Sequence, residues 1–390
     1  MTEIVIVGAK RTPIGSFQRQ FAPLSSVDLG AAAIKAAVNQ AGIDGGDVSE
    51  VIMGCILPAG LGQAPARQAS LKAGIPVSVA CMTINKVCGS GLKAVMLGND
   101  SIKAGSSEIV VAGGMESMSN APYLLPKARA GMRMGHGQVI DHMFWDALQN
   151  PSDQQMMGNF GEMCADKFSF SREEQDAFTV ASVERAQRAM ADGSFNDEIT
   201  AVAVTTRQGE NVYDQDEEPP RCNIRKIPSL RPAFKKDGTV TAANSSKISD
   251  GAAATVLMTA DEAGRRGIEP LARIIAHATH AHEPEWFTTA PAVAIAQVIE
   301  KAGWSTEDVD LFEINEAFAS VTMAAMVDLK LDHAKVNVNG GACALGHPVG
   351  ASGARILTTL IYALRQRGLK RGIATLCLGG GEAVAVAIEV

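Results

Sequence analysis

Aromatic residues are scarce in this sequence, where they make up 5% of the 390 positions. Small and branched aliphatic side chains must therefore fill the interior, and the 38 glycines permit close contacts between backbones. Hydrophobic residues still reach 46% and charged residues only 20%, a composition that excludes an intrinsically disordered chain. The length suggests two or three domains. An interior of this kind favours layered α/β structure.

The sequence also lacks an excess of positive charge and any long apolar run. Its formal net charge is -7, which offers no general attraction for nucleic acid or for an anionic membrane surface. No apolar run approaches the roughly 18 to 20 residues that span a bilayer. The first residues, MTEIVIVGAK, become strand-like at once and do not resemble a secretory signal. We therefore expect neither a nucleic-acid nor a membrane partner, and an anionic ligand would need a local basic cluster.

A disulfide framework and a zinc site are both disfavoured by the cysteines. Seven is an odd number, and neither a CxxC pair nor a zinc-like spacing occurs. We expect reduced thiols, a cytoplasmic location and no bound metal. The cysteines stand at positions 55, 81, 88, 164, 222, 343 and 377.

An internal repeat organises the chain. Three segments recur in the same order at a nearly constant offset, and in the second pair Ser90 aligns with Ser352. Each copy alternates short strands with helical patterns, which predicts two stacked α/β halves with mostly parallel sheets. The paired segments are 41–54 with 302–315, 89–97 with 350–360, and 110–114 with 376–380.

The segment between the two copies differs in composition. It has Met-rich and Gly-rich turns, and a polar helix that opens on a capping box formed by Ser171 and Glu174. We interpret it as an inserted loop domain, although a segment that merely covers the surface remains an alternative. The predicted domains are 1–117, completed by 246–268, then 118–245 for the insertion, and 269–390 for the second half.

Cys88 lies in NKVCGSGLKAV, directly before two glycines and a predicted helix. A helix N-terminus favours a thiolate by about 0.3 to 1 kcal/mol, whereas lowering a thiol pKa by about two units needs about 2.7 kcal/mol. A reactive Cys88 would therefore need a basic partner. A small buried hydrophobic residue is the alternative reading.

His347, between Gly346 and Pro348, is the candidate partner because it occupies the equivalent junction of the second repeat. Cys377 ends a strand before three glycines, whose amides could face an oxyanion. Asn315 and its neighbour Glu316 stand at the end of a repeated strand, where ligands gather in α/β sheets. Structural roles, in the core or as helix caps, remain open for each of these.

Six motifs together resemble those of the thiolase family, over essentially the whole length and in the family's order. The resemblance implies a thiolase fold with duplicated halves in a five-layered αβαβα arrangement, a coenzyme A-binding inserted domain, and acyl exchange onto coenzyme A. The motifs are NKVCGSGLKA, GGMESMS, VTAANSSKISDGAAA, NEAFA, NGGACALGHPVGASGAR and CLGGG.

The resemblance also implies residue roles. Cys88 would carry the acyl group as a thioester, with His347 as its base. Cys377 would move the proton at the α-carbon of the second acyl-CoA. One anion site would combine His347 with a water held by Asn315, and the other would use the backbone amides of Cys88 and Gly379.

Coenzyme A is expected as a substrate and not as a permanently bound cofactor. The resemblance places Arg221 near its nucleotide and Ser246 near its pantetheine, with an apolar tunnel wall formed by Leu148, Met157 and Phe318. Arg221 belongs to a basic stretch, residues 221–238, in which a solvated surface is the alternative role for the other charges.

Some positions depart from the family's common pattern. They leave the catalytic set intact and bear on acyl-chain preference and nucleotide binding. They are Met156 where His is common, Gly161 and Met163 where Ala and Asn are common, Lys247 for a small residue, Phe287 for Met, and Glu382 after the last glycines.

The resemblance predicts condensation of two acetyl-CoA to acetoacetyl-CoA and coenzyme A, and the reverse cleavage. A 3-ketoacyl-CoA thiolase of fatty-acid degradation with broader specificity is the nearest alternative. A thioesterase would not need a second cysteine, and a non-catalytic acyl-CoA carrier would need none of the catalytic set. Family members form dimers or dimers of dimers, so a homodimer or homotetramer is expected.

Overall fold

The computed structural model describes residues 2–207 and 209–390. Short strands and helices alternate through both ends of the chain, as the sequence pattern predicts. The strands are β1 (Ile4–Arg11), β2 (Gly15–Ser16), β3 (Glu50–Gly54), β4 (Ala80–Ile84), β5 (Val110–Ser117), β6 (Tyr123–Leu124), β7 (Ile140–Asp141), β8 (Val202–Thr206), β9 (Gly209–Tyr213), β10 (Ser249–Thr259), β11 (Ala272–Ala281), β12 (Leu311–Ile314), β13 (Arg371–Leu378) and β14 (Glu382–Glu389).

The α-helices lie between these strands and in the central segment. They are α1 (Ser26–Ala41), α2 (Pro65–Lys72), α3 (Ser90–Lys103), α4 (Met157–Phe168), α5 (Arg172–Ala191), α6 (Ala260–Arg266), α7 (Ala290–Ala302), α8 (Ala319–Leu329), α9 (Ala342–Leu345) and α10 (Ser352–Arg367).

The strand order repeats between the two halves. The first half has the order β4-β3-β5-β10-β1, and the second has β12-β13-β14-β11, with Val336 forming a parallel bridge beside Phe312 of β12. β1 and β11 pair through Ile4 to Ile6, so the two sheets are joined edge to edge. The repeat found in the sequence is therefore a repeat of whole sheets.

The expected parallel character of the sheets is wrong for most strand pairs. β3 pairs in parallel with β4 and β5, and β12 with β13, whereas β10 and β14 run antiparallel to both of their neighbours. The continuous apolar runs that suggested parallel strands have another cause, because β5 and most of β10 and β14 are buried on both faces.

Helices α3 and α10 form the central layer of the molecule. They contact each other and also both sheets, whereas α1 and α2 cover the outside of the first sheet and α7 covers the second. The result is five layers in the order helix, sheet, helix, sheet, helix. The glycines of α3 and α10 set the contact distance: a Cβ at Gly353 would lie 2.3 Å from the backbone nitrogen of Leu92, and one at Gly91 would lie 2.8 Å from that of Ala354.

Local details of the repeat follow the sequence. Both α1 and α7 end before a glycine with positive φ, 65° at Gly42 and 69° at Gly303, so each copy turns out of its helix in the same way. α3 and α10 both begin at the aligned serines, Ser90 and Ser352. The predicted capping box is confirmed, because Ser171 caps α5 and Glu174 bonds back to its backbone.

The central segment packs mainly on the second half, where α4 contacts α8 and α5 contacts α9. It is also tied to the first sheet through Arg11 of β1. This arginine is fully buried, and its guanidinium lies 2.5 Å from the Glu198 carboxylate and 2.7 Å from that of Asp216. Within residues 2–207 and 209–390, we find no helix that combines the length and apolar character of a membrane span.

Gly353→Ala tests the central contact. The added Cβ overlaps backbone that cannot rotate away, so we expect the free energy of unfolding to fall by about 1 to 3 kcal/mol in urea denaturation. Gly264→Ala in α6 is the matched control, because nothing lies within 4 Å of that Cβ position. It should leave stability unchanged or raise it by up to about 1 kcal/mol. Equal effects of the two substitutions would contradict the close contact.

Candidate active site

Cys88 sits in a strained turn between β4 and α3. Val87 directly before it has φ of 46°, a left-handed conformation that a β-branched residue rarely adopts. The Ser90 hydroxyl fixes this turn: it donates to the Val87 carbonyl at 2.7 Å and accepts from the Lys86 backbone nitrogen at 2.8 Å. Gly89 allows close packing, since a Cβ there would lie 2.3 Å from Leu378. The turn thus holds the Cys88 sulfur against the second half of the molecule.

His347 lies in the equivalent turn of the second half and is buried. Its Nδ1 is 2.5 Å from the Ser352 hydroxyl, which itself donates to the Pro348 carbonyl at 3.0 Å. Because the hydroxyl proton is used in that second bond, the Ser352 oxygen accepts from His347, which places the imidazole proton on Nδ1. Nε2 is then the lone-pair nitrogen and can accept a proton.

The structure brings four of the five sequence-predicted catalytic residues to one small cavity of about 50 Å³. Cys88, His347, Cys377 and Gly379 line it, although they come from positions far apart in the chain. Apolar side chains complete its wall, and we name this space the inner cavity. Its other lining residues are Ala147, Leu148, Met157, Ser246, Phe287, Ala317, Phe318 and Val349.

A larger cavity of about 650 Å³ adjoins the inner one, and we name it the outer cavity. Leu148, Met157, Ser246 and Phe318 line both spaces, so the predicted wall residues stand where the two meet. Leu148 ends a π-helical turn, Phe144–Leu148, and Met157 begins α4, so the central segment supplies this side of the passage.

Arg221 is placed differently from the other predicted binding residues. It borders a cavity of about 290 Å³ that shares Ala242 and Lys247 with the outer cavity, and its guanidinium donates to the hydroxyl of Ser16, which lines the outer cavity, at 3.2 Å. Glu217 and Glu218 lie 3.6 and 3.7 Å from the same guanidinium. Arg19, which no sequence motif indicated, is exposed and lines the outer cavity.

Asn315 is buried and does not line the inner cavity, although Ala317, two residues further along the chain, does. Both polar atoms of its side chain lack a hydrogen-bond partner among the described residues. A buried amide left without a protein partner normally holds a water or a ligand. Its neighbour Glu316 has a structural role, because it accepts from Ser182, Asn337 and the backbone nitrogen of Cys343.

The pKa of the Cys88 thiol is not lowered, as its position before a helix would suggest. Burial raises the pKa of the thiol to about 11, although the backbone N–H groups of Gly379 and of Cys88 itself favour the thiolate. Burial thus outweighs the helix N-terminus, which is worth at most about 2 kcal/mol. The resting Cys88 is a neutral thiol, and its two amide donors point to where a negative charge would develop.

The other two titratable groups of the cavity are also neutral at pH 7. Burial, with a smaller contribution from the nearby Arg355 charge, lowers the pKa of His347 to about 3. Burial also raises the pKa of Cys377 well above its usual range, and the proximity of Cys88 adds to this shift. The site therefore holds two thiols and one neutral imidazole, which can exchange protons but do not form a permanent ion pair.

Glu116 is a positioning residue that sequence reasoning missed. Its buried carboxylate accepts backbone N–H bonds from Ile56 and Leu57 in the first half, at 3.0 and 3.1 Å, and from Gly350 in the second half at 2.9 Å. It therefore joins the two halves beside the His347 turn. The motif GGMESMS was the available signal, because a carboxylate after two glycines on a buried strand needs partners.

The residues that depart from the family pattern lie around the passage. Phe287 lines the inner cavity, and Met156 and Lys247 line the outer one. Met163 packs against the cluster that contains Phe318, and Glu382 forms an ion pair with Lys86. We find no cluster of three or more His, Cys, Asp or Glu side chains that could hold a metal ion in the described part of the chain.

Comparisons with known proteins agree with the fold. The family model of the thiolase N-terminal domain matches residues 4–261, and that of the thiolase C-terminal domain matches residues 268–390. An acetyl-CoA acetyltransferase of Pseudomonas aeruginosa is 49% identical, covering 100% of this chain and 99% of that protein. One of Schizosaccharomyces pombe is 48% identical with the same coverage.

A solved structure extends the similarity to three dimensions. The crystal structure of the Bacillus anthracis acetyl-CoA acetyltransferase superposes with a TM-score of 0.97 at 42% sequence identity, and the match covers 100% of this chain and 99% of that one. Both family models and the full-length relatives therefore agree. The chain belongs to the thiolase family.

Proposed function

We propose that the protein is an acetyl-CoA acetyltransferase that catalyses both the condensation of two acetyl-CoA to acetoacetyl-CoA with release of coenzyme A, and the reverse cleavage. The observation that carries this proposal is the inner cavity, where two cysteines and a neutral histidine meet. The relatives named acetyl-CoA acetyltransferase, 49% and 48% identical over the whole chain, support the choice of substrate.

Cys88 is the proposed nucleophile of the cleavage direction. Its sulfur attacks the 3-oxo carbon of acetoacetyl-CoA while Nε2 of His347 takes the thiol proton. The bond between C2 and C3 then breaks, which leaves an acetyl thioester on Cys88 and the carbanion of acetyl-CoA. A neutral imidazole with its proton on Nδ1 suits this step, because Nε2 must accept before it can donate.

Cys377 is the proposed acid for the carbanion. It gives its proton to C2 of the departing acetyl-CoA, and in condensation it removes that proton again. Incoming coenzyme A then attacks the thioester on Cys88, which releases the second acetyl-CoA and restores the free thiol. One sulfur cannot serve both as the nucleophile and as the acid, since the Cys88 sulfur is acylated when the proton is transferred to C2.

Two anion sites are proposed for the two halves of the reaction. The backbone amides of Cys88 and Gly379 stabilise the oxyanion of the tetrahedral adduct, and their effect on the pKa of Cys88 supports this placement. The enolate oxygen lies between His347 and a water held by Asn315. The unpartnered amide of Asn315 supports this second site.

The outer cavity is the proposed path of the pantetheine arm. Its polar lining includes Ser246, and apolar walls from Leu148, Met157 and Phe318 suit the methylene and methyl groups of the arm. The nucleotide would then reach the surface near Arg19 and Arg221. Coenzyme A and its acyl thioesters are thus substrates, and no permanently bound cofactor is required.

The division of the chain follows from the same elements. We infer a first half of residues 1–117 completed by 246–268, because β10 lies between β1 and β5. Residues 118–245 form the inserted loop domain that covers the passage, and 269–390 the second half. When expressed alone, residues 118–245 should be unfolded if the insertion depends on both halves for its structure. A stably folded fragment would contradict that dependence.

A homodimer or homotetramer in the cytoplasm is the proposed state. β4 is the last strand in the order of its sheet, and Met82 on it is 43% exposed. In the central segment Tyr123 and Met134 are 68% and 96% exposed, so apolar surface is available there for a second copy. All seven cysteines are free, which suits a reducing compartment. A single-chain mass in sedimentation equilibrium would contradict the assembly.

His347→Asn should slow acetylation of Cys88 by acetyl-CoA by about 10²- to 10⁴-fold at pH 7. In the natural protein Cys88 and His347 are both neutral between about pH 6 and about pH 9, so the acetylation rate should stay flat over that range. Without the base only free thiolate reacts, and the rate should rise about tenfold per pH unit in that range. Rapid-quench mass spectrometry measures both profiles.

His277→Asn is the control for that experiment, since this half-buried histidine does not line the cavity. Its Nε2 lies 2.8 Å from the carboxylate of Asp100. It should keep the flat profile. The same steep profile in the natural protein and in His347→Asn would exclude His347 as the base.

Cys377→Ala should separate the two halves of the reaction. Acetylation of Cys88 should persist, whereas formation of acetoacetyl-CoA should fall by about 10²-fold or more, because the α-proton has no acceptor. Intact-protein mass spectrometry follows the first step and enolate absorbance the second. Cys81→Ala, half-buried outside both cavities, should behave as the natural protein. Equal loss of both steps in Cys377→Ala would contradict the division.

Chain length should be restricted by the inner cavity. Its volume of about 50 Å³ is small beside the 650 Å³ of the outer cavity, and it leaves little room for methylene groups beyond a short acyl chain. We therefore expect kcat/KM for thiolysis to fall by roughly tenfold for each two or three methylenes beyond acetoacetyl-CoA. A rise with chain length would favour the broader 3-ketoacyl-CoA thiolase. If no acetyl-CoA forms from any 3-oxoacyl-CoA and coenzyme A, that result would support the non-catalytic acyl-CoA carrier.

A further inference from the structure

Two histidines that line neither cavity lie together at the end of β11. His280 is the second-last residue of the strand and His282 follows its end, so their side chains leave the chain on the same side, as alternate residues of a strand do. Nε2 of His280 lies 3.3 Å from Nδ1 of His282, and the ring planes are nearly perpendicular at 86°. Both side chains are partly exposed, so solvent reaches them. We name these two side chains the histidine pair.

The outer contacts of the pair fix where its protons lie. Nε2 of His282 is 2.7 Å from the Trp286 carbonyl oxygen, which can only accept, so His282 carries its proton on Nε2 and a lone pair on Nδ1. Nε2 of His280 then donates to that lone pair. The remaining ring nitrogen, Nδ1 of His280, faces the side-chain amide of Gln297 at 3.5 Å. Each ring thus directs one nitrogen to the other ring and has a hydrogen-bonding group of the protein beside its second nitrogen.

We propose that the histidine pair binds one divalent transition-metal ion, such as zinc, through Nε2 of His280 and Nδ1 of His282. Two zinc–nitrogen bonds of about 2.0 to 2.1 Å at a tetrahedral angle place the nitrogens about 3.3 to 3.4 Å apart, which matches their separation in the pair. Imidazole nitrogens are ligands that zinc, copper and nickel share. The cysteine spacing that argued against a zinc site does not bear on two histidines. Water fills the coordination positions that two side chains leave open.

Binding of the ion requires only that one proton moves. His280 loses the Nε2 proton to water and takes one on Nδ1, and the partly exposed rings can then turn both free lone pairs toward the ion. Gln297 can accept the Nδ1 proton through its carbonyl oxygen, since the two ends of its amide exchange when the group turns over. A histidine that binds a metal almost always donates its other N–H to such an acceptor, and His282 already donates to Trp286. The pair therefore has the outer partners that a metal site needs.

A short segment connects the histidine pair to the inner cavity. The backbone nitrogen of His282 donates to the Gly381 carbonyl at 2.9 Å, and Trp286 directly precedes Phe287, which lines the inner cavity. A metal ion on Nδ1 withdraws electron density from the imidazole and strengthens its N–H bond to Trp286. We therefore expect the bound ion to make residues 282–287 more rigid.

Isothermal titration calorimetry tests the site, with zinc chloride and, separately, nickel chloride as probes. We expect saturable uptake of one ion by the natural protein, and His280→Asn and His282→Asn should each weaken it by about tenfold or more. Nickel guards against capture by the thiols, because thiolate ligands favour zinc while imidazole suits both metals. His333→Asn is the matched control, since this ring stacks on Phe178 and is not part of the pair. It should bind both metals as the natural protein does.

Gln297 allows the affinity to be changed in both directions. Gln297→Leu removes the amide and should weaken binding by about tenfold. Gln297→Glu should tighten binding, because a carboxylate accepts the Nδ1 proton of His280 more strongly than an amide does. Both substitutions leave the two imidazoles in place, so opposite shifts would not follow from a general loss of stability. Equal affinities in the two variants would contradict the role of Gln297 as an outer partner.

Hydrogen exchange followed by mass spectrometry locates the effect of the ion. Zinc should slow exchange in residues 282–287 of the natural protein and of His333→Asn, and should leave it unchanged in His280→Asn. Absence of saturable uptake would overturn the site, as would uptake of both metals that neither histidine substitution weakens. Zinc binding with unchanged exchange in residues 282–287 would overturn the connection to that segment. None of these readouts uses thiolysis, so a failure of the proposed function would leave the result of this test unaffected.

Discussion

The close crossing of α3 and α10 is the contact on which the rest of the structure depends. Each helix carries a glycine at its start, and a side chain on Gly353 would overlap the backbone of the opposite helix at 2.3 Å. The two N-termini can therefore meet, and Cys88 precedes one of them while His347 precedes the other. Since the central layer is shared by both sheets, any change in this distance would move the two reacting groups apart.

Burial of these groups determines how the chemistry must proceed. The pKa of Cys88 rises to about 11 and that of His347 falls to about 3, so the cavity holds no charge before substrate enters. A permanent thiolate would be more nucleophilic but would cost desolvation free energy in a space of about 50 Å³. Keeping the pair neutral means that charge appears only as the reaction proceeds, where the amides of Cys88 and Gly379 can stabilise it.

The sequence allowed much of the fold to be predicted, because the repeat is visible in short local signals. Gly42 and Gly303 end equivalent helices, and Ser90 and Ser352 begin equivalent ones, so the two halves could be aligned without coordinates. The direction of the strands could not be predicted, since burial on both faces gives the same apolar run in parallel and antiparallel pairs. The family resemblance is confirmed by the comparisons, whereas the residue roles stay predictions.

Contacts between distant segments account for what the sequence could not indicate. Glu116 joins Ile56 to Gly350, and the pKa of Cys88 depends on how deeply it is buried, so neither follows from neighbouring residues. Lys247 differs, because its Nζ donates to backbone carbonyls no more than five residues away, yet a sequence pattern predicts only a solvated charge for a lysine in a loop. These contacts depend on the direction of backbone carbonyls, which no side-chain pattern records.

The two halves show how one framework supports two different groups. Ser90 and Ser352 both donate to a carbonyl three or four residues earlier, and both accept one hydrogen bond in return. In the first half the donor is the backbone of Lys86, and the strained turn that results aims a sulfur. In the second half the donor is the imidazole of His347, so the same hydroxyl sets the tautomer. The two halves differ in the group that donates to the serine hydroxyl. Because of that one difference, the duplicated turn provides a nucleophile in the first half and an oriented base in the second.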